Sequence, residues 1–121
     1  MALQIKRIYD SYQKSDGMRF LVDRLWPRGI SKENAYLDGW MKELAPSRQL
    51  RIWFGHRPEK FEQFSALYRA ELDADAEAQE AAGQIILQSR ENTVTLLYGA
   101  KDPRINHAVI LKEYLELKRG N

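Results

Sequence analysis

The stretch from Thr93 to Lys118 constrains the fold more than any other part of this sequence. It opens with an apolar and β-branched run up to Tyr98, breaks into the charged loop Gly99–Asn106, and continues with apolar residues at helical spacing. A run in which nearly every residue is apolar or β-branched is typical of a central strand that is covered on both faces. The stretch therefore predicts a buried strand, a polar loop and a helix.

Two further strands are predicted at Leu3–Ile8 and Phe20–Trp26, where β-forming residues cluster. The polar connection Asp10–Gly17 is shorter than the dozen or more residues of an ordinary parallel crossover, so a hairpin and a tight irregular crossover both stay open. Helical spacing predicts the remaining elements. These are a helix that Ser31 caps and that carries Leu37, Trp40, Met41 and Leu44, a short helix with Leu50, Trp53 and Phe54, and longer helices over Pro58–Leu72, Asp75–Ser89 and Arg104–Arg119.

Strands and helices thus alternate, with a long helical insertion between the second and third strands. The pattern predicts a single α/β domain over residues 1–121: a small three-layer domain in which helices flank a mostly parallel or mixed sheet of three or more strands. The charged fraction of 30% and the formal net charge of +2 are those of an ordinary globular protein rather than a dedicated polyanion binder. The sequence does not predict an oligomeric state.

Several classes of protein are excluded by what the sequence lacks. Without cysteine it has no disulfide, thiolate nucleophile or cysteine-based zinc site. No signal peptide or membrane span is present, which predicts a cytoplasmic protein without a membrane partner. Glycine-rich nucleotide motifs and the serine-hydrolase motif are missing, so no cofactor is predicted. The two histidines lack metal-site spacing, so no metal is predicted either.

The loop after the third strand is the first candidate site, because ligands of open α/β sheets bind beyond the carboxyl ends of strands. Asp102 and Pro103 can open the following helix, whose N-terminus favours an anion. Alternatively, these residues only start the helix and close a turn. The loop concentrates polar side chains that a soluble core does not need, namely Lys101, Asp102, Arg104, Asn106 and His107.

A second candidate segment follows the predicted second strand. Asp23 stands where a strand is otherwise apolar, and Arg24 and Arg28 can hold an oxyanion through paired N–H donors. If the second and third strands are parallel neighbours, this segment and the Gly99 loop share one edge of the sheet. The structural alternative is an aspartate–arginine pair that merely orders the loop.

A third candidate segment contains Arg51, Trp53 and His56. Aromatic rings beside basic groups can wall a pocket that stacks a planar ligand. The alternative is a packed short helix with no ligand.

Three functions fit these segments. In the first, an enzyme holds a small anionic substrate with Arg24, Arg28 and Arg104, while Asp23 and His107 act as catalytic groups that move a proton. The second is a non-catalytic module that binds a nucleotide, a nucleic-acid end or a phosphorylated partner. The third is a scaffold whose polar loops are structural. A separation of Asp23 and His107 beyond about 10 Å would remove the proposed catalytic pairing.

Three blocks of the sequence together resemble a known family. They are LVDRLWPRG at 21–29, WMKELAPSRQLRIWFGHRP at 40–58 and TLLYGAKDPRINHAVILKEYL at 95–115. Their content and order are similar to the YeaO-like branch of the domain-of-unknown-function 488 family. The resemblance implies a small α/β domain without an established activity.

The larger branch of that family carries cysteines, including a Cys-His-Arg stretch, in the loop after its last strand. Here the comparable loop has Ala100-Lys101-Asp102 and then Asn106-His107, with no cysteine. Thiol chemistry therefore does not transfer to this chain. The polar elements that remain are Asn106-His107 and Asp23-Arg24.

Overall fold

A four-stranded parallel sheet forms the centre of the structure, a computed structural model that describes residues 2–120. The strands are β1 (Leu3–Arg7), β2 (Met18–Leu21), β3 (Gly39–Trp40) and β4 (Val94–Tyr98), in the spatial order β1-β4-β2-β3. The helices are α1 (Lys32–Ala35), α2 (Arg48–Phe54), α3 (Phe61–Ala74), α4 (Ala76–Ser89) and α5 (His107–Arg119). The predicted α/β class is confirmed.

The connection between β1 and β2 is a tight crossover and not a hairpin, because both strands run parallel to β4 between them. A 3₁₀ turn at Lys14–Asp16 and Gly17 at φ 68° make the crossover short. The backbone just before β4 passes so close to this point that a Cβ on Gly17 would lie 2.2 Å from the Thr93 carbonyl oxygen. Glycine at this position therefore allows the short connection.

The two faces of the sheet are covered unequally. Residues alternate along β4, so that Leu96 joins the larger core and Leu97 the smaller one. The larger core packs against α2, α3, α4 and α5. The smaller core lies under α1 and the neighbouring loops, where Trp26 and Trp40 pack edge to face with ring centroids 5.2 Å apart. Both faces of β4 are buried, as its apolar sequence predicts.

The prediction of one helix from Ser31 through Leu44 was wrong. Ser31 caps α1, but that helix ends at Ala35, and Tyr36 follows in the left-handed region at φ 50°. The apolar residues beyond it come from the edge strand β3 and a 3₁₀ turn at Lys42–Leu44. Trp40 packs on the smaller core and Leu44 on the larger one, so residues facing two different cores mimicked helical spacing.

The predicted strand Phe20–Trp26 is also too long, because β2 ends at Leu21. Trp26 instead lies in the loop, where its Nε1 donates to the Ile30 carbonyl at 2.6 Å. Among residues 2–120, no helix has both the length and the apolar character to cross a lipid bilayer.

The last helix begins at His107 and not at Arg104 as predicted. Asn106 is its N-cap, since Asn106 Oδ1 accepts from the Val109 N–H at 3.1 Å. Asp102 caps a separate turn, in which its Oδ1 accepts from the N–H groups of Arg104 and Ile105. Two successive capping residues compete for the helix start, and the one that is buried, Asn106, sets it.

Candidate functional site

The loops after β2 and β4 lie at the same edge of the sheet, because these two strands are parallel neighbours. The predicted shared edge is therefore present. A cavity of about 430 Å³ opens there. Six of the predicted site residues line it: Asp23, Arg24, Arg51, His56, Asn106 and His107. The rest of the lining is apolar or glycine: Leu25, Ala45, Pro46, Ile52, Phe54, Phe64, Gly99 and Ala100.

Asp23 and His107 are a close polar pair in the cavity lining. His107 Nε2 lies 3.3 Å from Asp23 Oδ1 and 2.9 Å from the Val22 carbonyl oxygen. The Gly99 N–H donates to Asp23 Oδ2 at 2.9 Å, which ties the two loops together. A Cβ on Gly99 would lie 3.0 Å from Asp23 Oδ2, so this position favours a residue without a side chain. The 3.3 Å between His107 and Asp23 is well below the separation of about 10 Å that would have removed the proposed catalytic pairing.

The surroundings of His107 define the tautomer of its neutral form. Nε2 lies 2.9 Å from the Val22 carbonyl oxygen, which can only accept, so in the neutral form Nε2 carries the proton and donates it to Val22, with the Asp23 carboxylate nearby. Nδ1 then keeps a lone pair, and no residue among 2–120 donates a hydrogen bond to it. The ring of Tyr68 packs edge-on against the imidazole at a centroid distance of 6.0 Å and holds its orientation.

Burial shifts both members of this pair toward their neutral forms. Desolvation raises the pKa of the Asp23 carboxyl, against the opposing influence of His107 and of the Gly99 N–H. Desolvation likewise lowers the pKa of His107 below its usual 6.5, although the negative charge of Asp23 acts in the other direction. Burial of His107 therefore favours the neutral imidazole.

Arg51 is a cation that forms no ion pair with the described residues. It comes from α2 and lines the cavity. Its Nε is buried without a hydrogen-bond partner, and within residues 2–120 no acidic side chain forms an ion pair with it. Its charge acts on Asp23 and His107 through space and lowers the pKa of both. An unpaired buried polar atom beside a cavity is the feature that most needs an explanation.

Arg24 and His56 border the cavity with more constrained roles. Arg24 donates through Nη2 to the Ala45 carbonyl at 3.2 Å and through Nε to the Pro46 carbonyl at 3.4 Å, so part of its donor capacity is used by the cavity wall. His56 is exposed and lies in the left-handed region at φ 57°, directly after the C-cap Gly55 of α2. Left-handed geometry is uncommon for histidine and turns the chain sharply at this point.

The other predicted site residues lie outside the cavity lining. Trp53 packs partly buried on the larger core with Lys60 Nζ over its ring at 4.7 Å. Exposed Arg28 contributes its backbone carbonyl to a 2.8 Å hydrogen bond from the Tyr9 hydroxyl. The exposed residues Lys101, Asp102 and Arg104 belong to the turn before α5. They were predicted at the site because they follow the third strand in the loop, but the loop carries their side chains into solvent, and of its predicted site residues only Asn106 and His107 reach the cavity.

The lining suggests what chemistry is available in the cavity. Two arginines and one aspartate give it one net positive charge when both histidines are neutral. None of the described lining residues is a serine, threonine, cysteine or lysine, so the Asp23–His107 pair has no side-chain nucleophile to activate. Within residues 2–120 no group of three or more metal-ligating side chains comes together.

Sequence reasoning missed one aromatic residue of the cavity lining, Phe64, and a separate cluster of charged residues. Phe64 was assigned to a core stripe, yet it also floors the cavity, where it stacks on Phe54 at 4.1 Å. On the other side of the sheet, Lys6, Asp16 and Arg19 form a buried ion-pair cluster. The signal for this cluster was Arg19, a charged residue inside a strand whose neighbours are all apolar.

Comparison with known proteins assigns the chain to a family. The profile described as the inactive DUF488-N3 subclade, DUF488-N3i, matches residues 2–120. The chain belongs to the DUF488 family. The resemblance noted in the three sequence blocks is thereby confirmed.

The relatives of this DUF488 chain are similar over nearly their whole length. Uncharacterized protein YeaO of Escherichia coli (strain K12) is 42% identical over 115 residues, which cover 95% of this chain and 97% of YeaO. Uncharacterized proteins Rv3073c of Mycobacterium tuberculosis (strain ATCC 25618 / H37Rv) and Mb3100c of Mycobacterium bovis (strain ATCC BAA-935 / AF2122/97) are each 34% identical over 113 residues, covering 93% of this chain and 92% of each relative. No solved structure matches the chain.

Proposed function

We propose that this DUF488 protein binds a small oxyanion, a carboxylate or phosphate group, in the cavity at the carboxyl ends of β2 and β4, and that it does so without catalysing a reaction. The observation that carries the proposal is Arg51. A guanidinium that lines a cavity and forms no ion pair with residues 2–120 is a strong donor left available to a ligand.

The start of α5 supports an anion at the same place. Asn106 and His107 both line the cavity, so the N-terminus of a 13-residue helix is directed there. The partial positive charge at a helix N-terminus favours a negative group. Arg24 adds a second cation whose Nη1 makes no hydrogen bond to the described residues. Three independent sources of positive potential thus meet at one cavity.

The Asp23–His107 pair fits a ligand-positioning role. Because His107 Nε2 donates to the Val22 carbonyl, Nδ1 can accept a hydrogen bond from a ligand N–H or O–H. Asp23 also joins the two loops through Gly99 and so sets the shape of the cavity floor. A ligand that carries both an oxyanion and a hydrogen-bond donor, such as a protonated phosphate or a hydroxy acid, would contact the Arg51 guanidinium with the first and His107 Nδ1 with the second.

Absence of catalysis is supported by the lining and by the family. The described lining residues supply no side-chain nucleophile, and the matching family profile is described as an inactive subclade. The second candidate function, proton transfer to a substrate or water, is favoured by one observation only: the 3.3 Å approach of His107 Nε2 to Asp23 Oδ1.

The test is a titration of ¹⁵N-labelled protein with sodium acetate and with inorganic phosphate, with ionic strength held constant by chloride. We expect saturable shifts at the amides of Gly99, Ala100 and His107, which lie in the cavity lining. Arg51→Met should weaken binding at least tenfold, since one charge-assisted contact is worth about 1.5–3 kcal/mol.

Arg48→Met is the matched control, because Arg48 is an exposed arginine on the same helix and is not part of the cavity lining. It should leave the affinity within about twofold, because an exposed charge outside the site contributes little at fixed ionic strength. Equal losses in the two variants, or shifts confined to Lys101 and Arg104, would refute a site at Arg51.

A further inference from the structure

The cavity is larger and more apolar than a simple anion requires. Its volume of about 430 Å³ falls within the range of roughly 300–1,000 Å³ that is typical of pockets for small organic ligands. Its lining is mainly hydrocarbon, with Phe54 and Phe64 stacked nearly parallel, at an interplanar angle of 10°, in the floor. An inorganic anion at Arg51 would leave most of this apolar surface facing water.

Two exposed aliphatic side chains extend the apolar surface to the mouth of the cavity. Leu25 is 67% exposed and Ile52 is 65% exposed, and both line the cavity. Each directly follows one of the two cavity arginines in the sequence, Arg24 and Arg51. The loop after β2 and the helix α2 therefore each bring one cation and one aliphatic side chain to the same opening.

Resting on the proposed oxyanion site, we infer that the ligand is amphipathic: a small molecule with a carboxylate or phosphate head at Arg51 and an apolar, aliphatic or aromatic body that packs between Leu25, Ile52 and the floor of the cavity. Burial of such a body removes both exposed aliphatic residues from water, which is favourable in proportion to the apolar area covered. Free inorganic phosphate and strongly polar metabolites use only the head site.

The experiment compares ligands that share a head and differ in body. Acetate, butyrate, hexanoate and benzoate are titrated against the whole chain, and phenyl phosphate is compared with inorganic phosphate. Affinity should rise by about fourfold for each methylene that becomes fully buried, and phenyl phosphate should bind at least tenfold more tightly than phosphate. The two head groups then distinguish a carboxylic acid from a phosphate ester as the preferred ligand.

Leu25→Ser and Ile52→Ser test the location of the body. Each should remove most of the gain between acetate and hexanoate while leaving acetate affinity within about twofold. Leu87→Ser is the matched control, because Leu87 is 66% exposed on α4 and is not part of the cavity lining. Its hexanoate affinity should equal that of the unmodified protein.

A flat response from acetate to hexanoate would overturn the amphipathic ligand while leaving the oxyanion site intact, so the two proposals fail separately. Equal losses in the Leu87→Ser protein would also overturn it. Sedimentation velocity at the titration concentrations tests whether the protein is a dimer. A dimer that Leu25→Ser dissociates would show that a second copy of the chain covers the mouth, and would contradict the small-molecule assignment.

Discussion

The strand β2 is flanked by two aspartates whose pKa values shift in opposite directions: buried Asp16 before it and half-buried Asp23 after it. Asp16 accepts from the Gln13 N–H, from Lys6 and from Arg19. Burial alone would raise its pKa, but these hydrogen bonds outweigh burial and lower the pKa of Asp16. For Asp23 burial prevails and the pKa is raised.

The difference lies in where each aspartate finds its partners. The cluster of Lys6, Asp16 and Arg19 is closed to solvent and paired within itself: Arg19 is only 2% exposed, its Nη1 donates to Asp16 and its Nη2 to the Ala35 carbonyl, although its Nε, like that of Arg51, has no hydrogen-bond partner. At Asp23 the nearest cations do not complete the set, since Oδ1 has no hydrogen-bond partner. A buried polar group that its own chain satisfies stabilises the fold, whereas one left incomplete beside a cavity is available to a ligand.

The largest expected effect is a difference in how much stability is lost when each of the two aspartates is replaced by asparagine. Asp16→Asn leaves the buried charges of Lys6 and Arg19 uncompensated, which costs about 3–5 kcal/mol in the free energy of unfolding. Asp23→Asn removes a desolvated carboxylate and should cost less than about 1 kcal/mol, because the isosteric amide oxygen still accepts from the Gly99 N–H. Urea denaturation measures both, and equal losses would end the distinction between the clusters.

A smaller effect separates the two arginines. Arg19→Met should lower the free energy of unfolding by about 2–3 kcal/mol, because Asp16 loses a charge-assisted hydrogen bond in a buried place. Arg51→Met should leave it unchanged or raise it by up to about 1 kcal/mol, since an unpaired buried Nε disappears. A loss for Arg51→Met as large as that for Arg19→Met would make Arg51 structural.

Acid should act on the two clusters in different pH ranges. The pKa of His107 is lower in the folded chain than its usual 6.5, so below about pH 6.5 the unfolded chain takes up a proton that the folded chain does not, and stability falls. His107→Gln should remove this decline between pH 7.5 and 5 in denaturation curves. Asp16, whose pKa is lowered, keeps its stabilising contribution until the pH falls below about 3.8.

The smallest effect is a change in the titration of His107. Asp23 raises the pKa of His107 by its negative charge, so Asp23→Asn should lower that pKa further. The imidazole ¹H–¹³C resonances in an NMR pH titration report it directly. An unchanged or higher pKa would mean that the two side chains do not interact electrostatically.

Much of the architecture follows from local patterns in the sequence. The apolar run before Gly99, the stripe of α3 and the alanine-rich α4 lie close to the predicted bounds. The short β3 escaped prediction, because a two-residue edge strand carries too little pattern to distinguish it from a helix turn. The start of α5 was misplaced because Asp102 and Asn106 are both good capping residues, and tertiary burial of Asn106 selects between them.

The candidate site was predictable where it depended on strand ends and not where it depended on packing. Asp23 and His107 follow from their places after parallel strands, because the topology brings such loops together. That Arg51 would face this cavity while Trp53 packs beside Lys60 depends on how α2 turns against α3, which spacing alone does not determine. The closed cluster likewise depends on the tight β1–β2 crossover that Gly17 permits.

The most direct test of the central claim is a crystal structure of the protein grown with benzoate. The carboxylate is predicted within hydrogen-bond distance of the Arg51 guanidinium, in the cavity floored by Phe54 and Phe64, with the ring between Leu25 and Ile52. Benzoate bound only on the exposed turn at Lys101 and Arg104, with the cavity holding water alone at saturating ligand, would contradict it.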